Sequence, residues 1–289
     1  MKISKLALVA MMVFLGIFFF PLNSLSKEKS KENTIVLSKS NTVVLNGEIE
    51  GETVGEVIAQ ARKLTEKRGF LKSKEHIYLF MNTPGGSIQS GLELVEALKG
   101  LSRPVDTITL FSASMGFQLV QALGERFIVK NGVLMAHRAQ GEFSGFFGGQ
   151  KPSQIDSRYA LWLSRIDEMD NQTVARSKGK QTLESYRKQY TDEMWLTGSQ
   201  SVEQGYADKV VTVTCDSSLD GVTTHTVDFF GIKILYDTDN CPLNTEPMNI
   251  RIELPKEKDK VPNTKKAAET KKQFLEQYIS KQRNIVPMY

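Results

Sequence analysis

The chain has 289 residues, 40% hydrophobic and 24% charged, with a formal net charge of +4. That composition supports a sizeable globular core and excludes a largely disordered or low-complexity chain. Much of the positive balance sits in the last forty residues, and no basic stripe is interleaved with aromatics, so nucleic-acid binding is not expected.

Residues 1–26 read as a targeting segment. Lys2 and Lys5 precede an apolar run from Leu6 to Phe20, Pro21 ends it, and Ser24-Leu25-Ser26 fits a small-x-small cleavage pattern. The run is short for a membrane span, which needs ~20 apolar residues. A cleaved secretory signal is the first expectation, and an anchor through residues 6–22 the alternative. Either places the protein in a periplasmic or other extracytoplasmic compartment. No cysteine lies near the cleavage point, which argues against a lipoprotein.

Residues 27–42 read as a linker with a lysine-rich lead, although Ile35 to Leu37 is a short β-type run. Thr42 to Leu45 is another, followed by the turn signal Asn46-Gly47. Thr53 to Lys67 carries Val54, Val57, Ile58, Ala61 and Leu64 at helical spacing. Ile77 to Met81 is a β-type run that ends at Asn82-Thr83-Pro84-Gly85-Gly86, where two glycines open backbone conformations closed to other residues. A helix follows on Ile88, Leu92, Val95 and Leu98. A strand from Thr107 to Phe111 runs into Ser112-Ala113-Ser114-Met115-Gly116 and a helix from Phe117 to Leu123. A serine at such a junction presents its hydroxyl beside the unpaired N–H groups of a helix N-terminus. Val133 to Ala136 is a third strand, delivering His137 at its end. Alternating strands and helices are the pattern of crossover units around a parallel sheet.

The stretch YLFMNTPGGSIQSG, the SASMG turn, the MAHR strand end and WLTGSQSVEQGYADKV (Trp195 to Val210) together resemble the Clp protease proteolytic subunit family, serine peptidases of the crotonase-like superfamily. The resemblance covers roughly residues 43–213. It implies an α/β fold with a repeated β-β-α spiral core, a polypeptide substrate, a ring-like homo-oligomer and no cofactor or metal. It also implies Ser114 as nucleophile, His137 as base, and the backbone N–H groups of Gly86 and Met115 as oxyanion hole. The family places an aspartate two residues before an aromatic in the closing motif. Here the aromatic is Trp195 and the residue two before it is Glu193, with Asp192 beside it. Glutamate can orient a histidine but is one methylene longer, so its backbone must sit further back; on the spacing before Trp195, Glu193 is the first candidate for the acid and Asp192 the second. Asp208 matches a family aspartate of structural role and is left out of the site.

Two rival readings share this fold: a crotonase-like enzyme acting on acyl-CoA, and a catalytically silent ring scaffold. The signal-peptide peptidase branch would use a lysine, and Lys130 lies on the strand before His137.

Downstream, Gly141 to Gly149 is a glycine- and phenylalanine-rich loop, read either as a flap over the site or as a solvent loop. Ile155 to Ser177 is a long helix with Tyr159, Trp162, Ile166, Met169 and Thr173 on one face; in the resemblance the corresponding helix joins ring to ring. Thr182 to Tyr190 is a shorter helix, and Thr197 with Gln200 suggests a capping box closed by Gly205. Residues 214–252 read as a β-rich appendage, with strands over Thr223 to Val227 and Gly231 to Tyr236. Cys215 and Cys241 are expected to bond across it, since an exported chain meets oxidising conditions. Residues 253–289 read as a charged tail, in which Lys265 to Gln282 can form an amphipathic helix; that tail or the N-terminal segment is where membrane association would arise.

Overall fold

The computed structural model describes residues 33–66, 75–140, 152–229 and 232–253. The expected signal segment, the glycine-phenylalanine loop and the tail helix lie outside the described residues. No described helix is long and apolar enough to cross a membrane.

The main sheet has seven strands: β1 (Thr34–Leu37), β2 (Thr42–Asn46), β3 (Ile77–Thr83), β4 (Val105–Ala113), β5 (Arg126–Ala136), β6 (Met194–Thr197) and β7 (Lys209–Cys215). Their order is β1-β7-β5-β4-β3-β2, with β6 paired antiparallel to the far end of β5 and every other pairing parallel. Parallel neighbours need crossover connections. Here these are α1 (Gly51–Glu66), α2 (Ile88–Lys99) and α3 (Met115–Ala122). α4 (Pro152–Arg176), α5 (Leu183–Gln189) and the short α6 (Gly198–Glu203) complete the layer.

Period-two alternation divides the core. Ile77, Leu79 and Met81 of β3 join Val54, Val57 and Ala61 of α1 and Leu94, Val95 and Leu98 of α2 on the helix side. Phe80 faces the other way, with Ile108, Val211, Val213 and Leu37. That second face is covered by Leu219, from the turn after β7, and by Cys215. Full burial of side chains such as Phe80 contributes ~1.5–3 kcal/mol each.

The structure redraws three sequence expectations. β1 falls inside the stretch read as a linker, yet it pairs in register with β7, Thr34 opposite Thr212 and Leu37 opposite Cys215. The appendage was expected to begin at residue 214, but β7 runs through that boundary to Cys215 and sits inside the main sheet between β5 and β1. The apolar face of α4 divides: Met169 and Thr173 are buried and Ile166 packs on the core, but Tyr159 is 55% exposed. Leu161 is 59% exposed and Leu163 is exposed beside it.

The appendage is a three-stranded antiparallel sheet of β8 (Val222–Phe229), β9 (Ile232–Asp239) and β10 (Met248–Glu253), ordered β10-β9-β8. The bond expected between Cys215 and Cys241 is present, with Cα atoms 6.0 Å apart, and ties β9 to the end of β7.

Candidate active site

β4 ends at Ala113, and Ser114 turns the chain directly into α3 with φ 54° and ψ −118°. A non-glycine residue held there stores roughly 1–3 kcal/mol of backbone strain. The neighbouring strand helps to hold it, since Ser114 N donates to Met135 O of β5 at 3.0 Å. Because β5 runs parallel to β4, its end brings His137 alongside, and Ser114 Oγ lies 2.8 Å from His137 Nε2.

The diglycine turn supplies the facing wall. Ile49 N donates to Gly85 O and Ser87 N donates to Ile49 O, each at 2.8 Å. In a parallel bridge of this kind the central residue, Gly86, turns its own N–H away from Ile49. Gly86, Ser114, Met115 and His137 then line one cavity of about 90 Å³. Neither glycine can be replaced without displacement: a Cβ on Gly85 would come within 2.6 Å of Ser114 Cβ, and one on Gly86 within 2.5 Å of Ile49 O.

Glu193 reaches the neighbourhood through β6. The last antiparallel pair is Ala136 with Met194, so the next step of that register sets Glu193 across from His137. The Glu193 carboxylate, however, accepts from the Trp195 indole at 3.0 Å, and the Trp195 ring stacks on Phe111. Asp192 lies in the exposed 3-10 turn before it. Among the described residues no carboxylate forms an ion pair with His137. Lys130 is exposed on β5 and makes no hydrogen bond to Ser114.

The sequence reading missed the acid that does line the cavity. Asp170 of α4, 3% exposed, accepts from Tyr190 Oη at 2.7 Å and Arg187 Nε at 2.8 Å. Burial and the hydrogen bond to Asp170 push the Tyr190 hydroxyl up to about 12. Gln118, Tyr186, Ile166 and Met169 share the cavity wall. The available signal was an aspartate beside Met169, four residues after Ile166, on the inward face of a long helix.

Of the other two histidines, His76 pairs with Asp106, and His225 bonds to Thr238 and stacks on Tyr236. Arg126, 1% exposed, is held by both oxygens of Asp208, whose carboxylate also takes Lys178 Nζ at 2.8 Å. Burial opposes ionisation of Asp208, but the hydrogen bonds from Arg126 and Lys178 outweigh it and hold that carboxyl well below the usual carboxylate range. Among the described residues no cluster of three or more His, Cys, Asp or Glu is placed to hold a metal ion.

A serine raised on a strained strand-to-helix turn of a mostly parallel sheet, within hydrogen-bond reach of an imidazole, defines an α/β serine hydrolase. The sequence narrows that class. The model of the family described as Clp protease matches residues 26–214, and the chain belongs to this family, as a serine peptidase. It is similar to the ATP-dependent Clp protease proteolytic subunit of Streptococcus gordonii, 29% identical over 187 residues, which cover 64% of this chain and 91% of the relative. The subunits of the same name from Streptococcus pneumoniae strains Hungary19A-6 and CGSP14 are each 28% identical over the same lengths. The family match ends before β8, so the appendage lies beyond it.

Proposed function

We propose that this protein is a serine endopeptidase that cleaves polypeptides in an extracytoplasmic compartment. The carrying observation is the 2.8 Å contact between Ser114 Oγ and His137 Nε2. In this mechanism His137 takes the Ser114 proton as the hydroxyl attacks the scissile carbonyl, then delivers it to the leaving amine. Charge developing on the carbonyl oxygen is met by the backbone N–H groups of Gly86 and Met115. Glu193, or Asp192 in its place, swings to His137 Nδ1 and stabilises the imidazolium. Water repeats the cycle on the acyl-enzyme.

The compartment rests on the signal-like first 26 residues, with which a disulfide-bonded appendage is consistent. Outside the cytoplasm ATP is lacking, so any partner acts without it. A ring-like homo-oligomer is part of the same proposal, supported by the exposed Tyr159, Leu161 and Leu163 on α4. The test is a fluorophosphonate probe with casein hydrolysis in parallel. Labelling of Ser114 together with internal cleavage of casein is the expected result. An unlabelled, inactive protein would leave a silent scaffold.

A further inference from the structure

A groove of about 690 Å³ runs between α1, the outer edge of β2 and one face of the appendage sheet. β2 is the last strand of the main sheet, paired only with β3. Its ladder begins with Tyr78 N donating to Asn41 O and ends with Gly47 N donating to Asn82 O. In a parallel pair alternate residues bond the same neighbour, so Asn41, Val43, Leu45 and Gly47 serve β3. Val44 and Asn46 turn their N–H and C=O the other way, and both line the groove. Unpaired among the described residues, such a row of main-chain groups is a template for another strand.

The far wall has the character of a side-chain pocket. His225 and Tyr236 stack with ring centroids 5.0 Å apart, flanked by Val227 and Ile234, and Glu56 and Gln60 of α1 stand on the other side. Glu56, Asp239 and Glu246 also line the groove, and among the described residues no lysine or arginine does. None of those three carboxylates forms an ion pair among the described residues. The groove is thus acidic, apolar along one wall and open to main-chain hydrogen bonds along the other.

We propose that this groove binds an extended segment of polypeptide as an added strand on β2, with alternate side chains directed at the His225–Tyr236 wall and a basic residue among the carboxylates. That the bound segment belongs to a substrate rests on the peptidase reading; the binding itself does not. The groove is joined to the catalytic turn. Asn82, at its floor, donates to Asn46 Oδ1 at 2.8 Å and lies within 3.4 Å of Thr245 Oγ1. Four residues on from Asn82 is Gly86, bridged to Ile49 just beyond β2. A strand laid on β2 therefore braces the segment that positions the Gly86 N–H.

The experiment uses the full chain carrying Ser114→Ala, so that nothing is cleaved. The probe is a fluorescein-labelled nonapeptide of alternating valine and threonine with a lysine at each end, read by fluorescence anisotropy. A second probe has the same side chains with every central backbone nitrogen methylated. The expected result is binding of the first and at least tenfold weaker binding of the second, with His225→Ala and Glu56→Gln each weakening the first severalfold. Equal binding of the two probes overturns the proposal and needs no groove variant to fold. A benzophenone on the first probe should crosslink to α1, β2 or the appendage. Adducts confined to the Ser114 cavity overturn it, as does loss of peptide binding when rising protein concentration fills the groove with a second copy. Failure of Ser114 in the unmodified protein to react with a fluorophosphonate would remove the peptidase reading alone, with the anisotropy still deciding the groove.

Discussion

His137 and Glu193 stand opposite one another one step beyond the last β5–β6 pair, yet the Glu193 carboxylate is bound to the Trp195 indole at 3.0 Å. The β5–β6 register carries a carboxylate toward the imidazole, and a side-chain hydrogen bond directs it to the indole instead. Glu193 itself has φ 73°, which ends the ladder at this point. If this acid orients the imidazole during turnover, Glu193→Gln lowers casein hydrolysis by about 10²-fold or more, and Asp192→Asn does less. Trp195→Phe, which releases the carboxylate, raises turnover or leaves it unchanged. Steady-state kinetics on the three variants checks this, and a larger effect at Asp192 would transfer the role.

Ser114→Ala and Ser114→Gly should both abolish fluorophosphonate labelling and peptide hydrolysis. They separate in stability. Glycine accepts the positive φ that a Cβ resists, so the glycine variant should be the more stable by about 1 kcal/mol. Urea denaturation of the pair measures this.

The Arg126–Asp208 pair predicts an acid limb of stability. The folded-state pKa of Asp208 lies below its unfolded value near 3.9. Its contribution is therefore complete above about pH 5 and is lost as pH falls through the folded-state value. Asp208→Asn leaves Arg126 buried without its counter-charge and should cost about 3–5 kcal/mol at neutral pH. Denaturation midpoints between pH 7 and pH 2 should then fall less steeply in the variant than in the wild type.

The Cys215–Cys241 bond spans a sequence separation of 26 residues. By loop-closure entropy its reduction should lower stability by about 3–4 kcal/mol. Non-reducing mass spectrometry of protein from its native compartment should show no free thiol, and thermal unfolding with and without reductant gives the magnitude.

Leu161 and Leu163 are exposed on α4 while Met169, further along, is buried. Changing both leucines to glutamate should yield smaller species in sedimentation with an unchanged circular dichroism spectrum. Ile166→Glu, on the packed part of the same helix, should unfold the protein instead. A wild type that sediments as a monomer at micromolar concentration removes the oligomer from the proposal.

Local chemistry made the Ser114 turn legible. Glycines at 85 and 86, small residues around Ser114 and an apolar strand ending at His137 all write their geometry into consecutive residues, and Gly86, Ser114 and His137 line one cavity. What was hidden depended on partners distant in sequence. β1 is four residues long and reads as part of a linker until β7 is seen beside it. Asp170 went unremarked because its partners, Arg187 and Tyr190, return from α5 and the turn after it. The orientation of Glu193 turns on a rotamer held by Trp195, which spacing cannot give.

The pairing of β1 with β7 bears on how the chain acquires its fold. Thr34 and Thr212 are partners across 178 residues of sequence, so that contact carries a high loop-closure entropy and contributes strongly to contact order. Chain emerging from its N-terminus holds β1 without a partner until residue 215 is made, while the edge of β5 that β7 will occupy stays open. Such an interval exposes unpaired strand to neighbouring chains. The ordering makes β7 docking the step that gives both β5 and β1 their partner, and the Cys215–Cys241 bond fastens the end of that strand to the appendage.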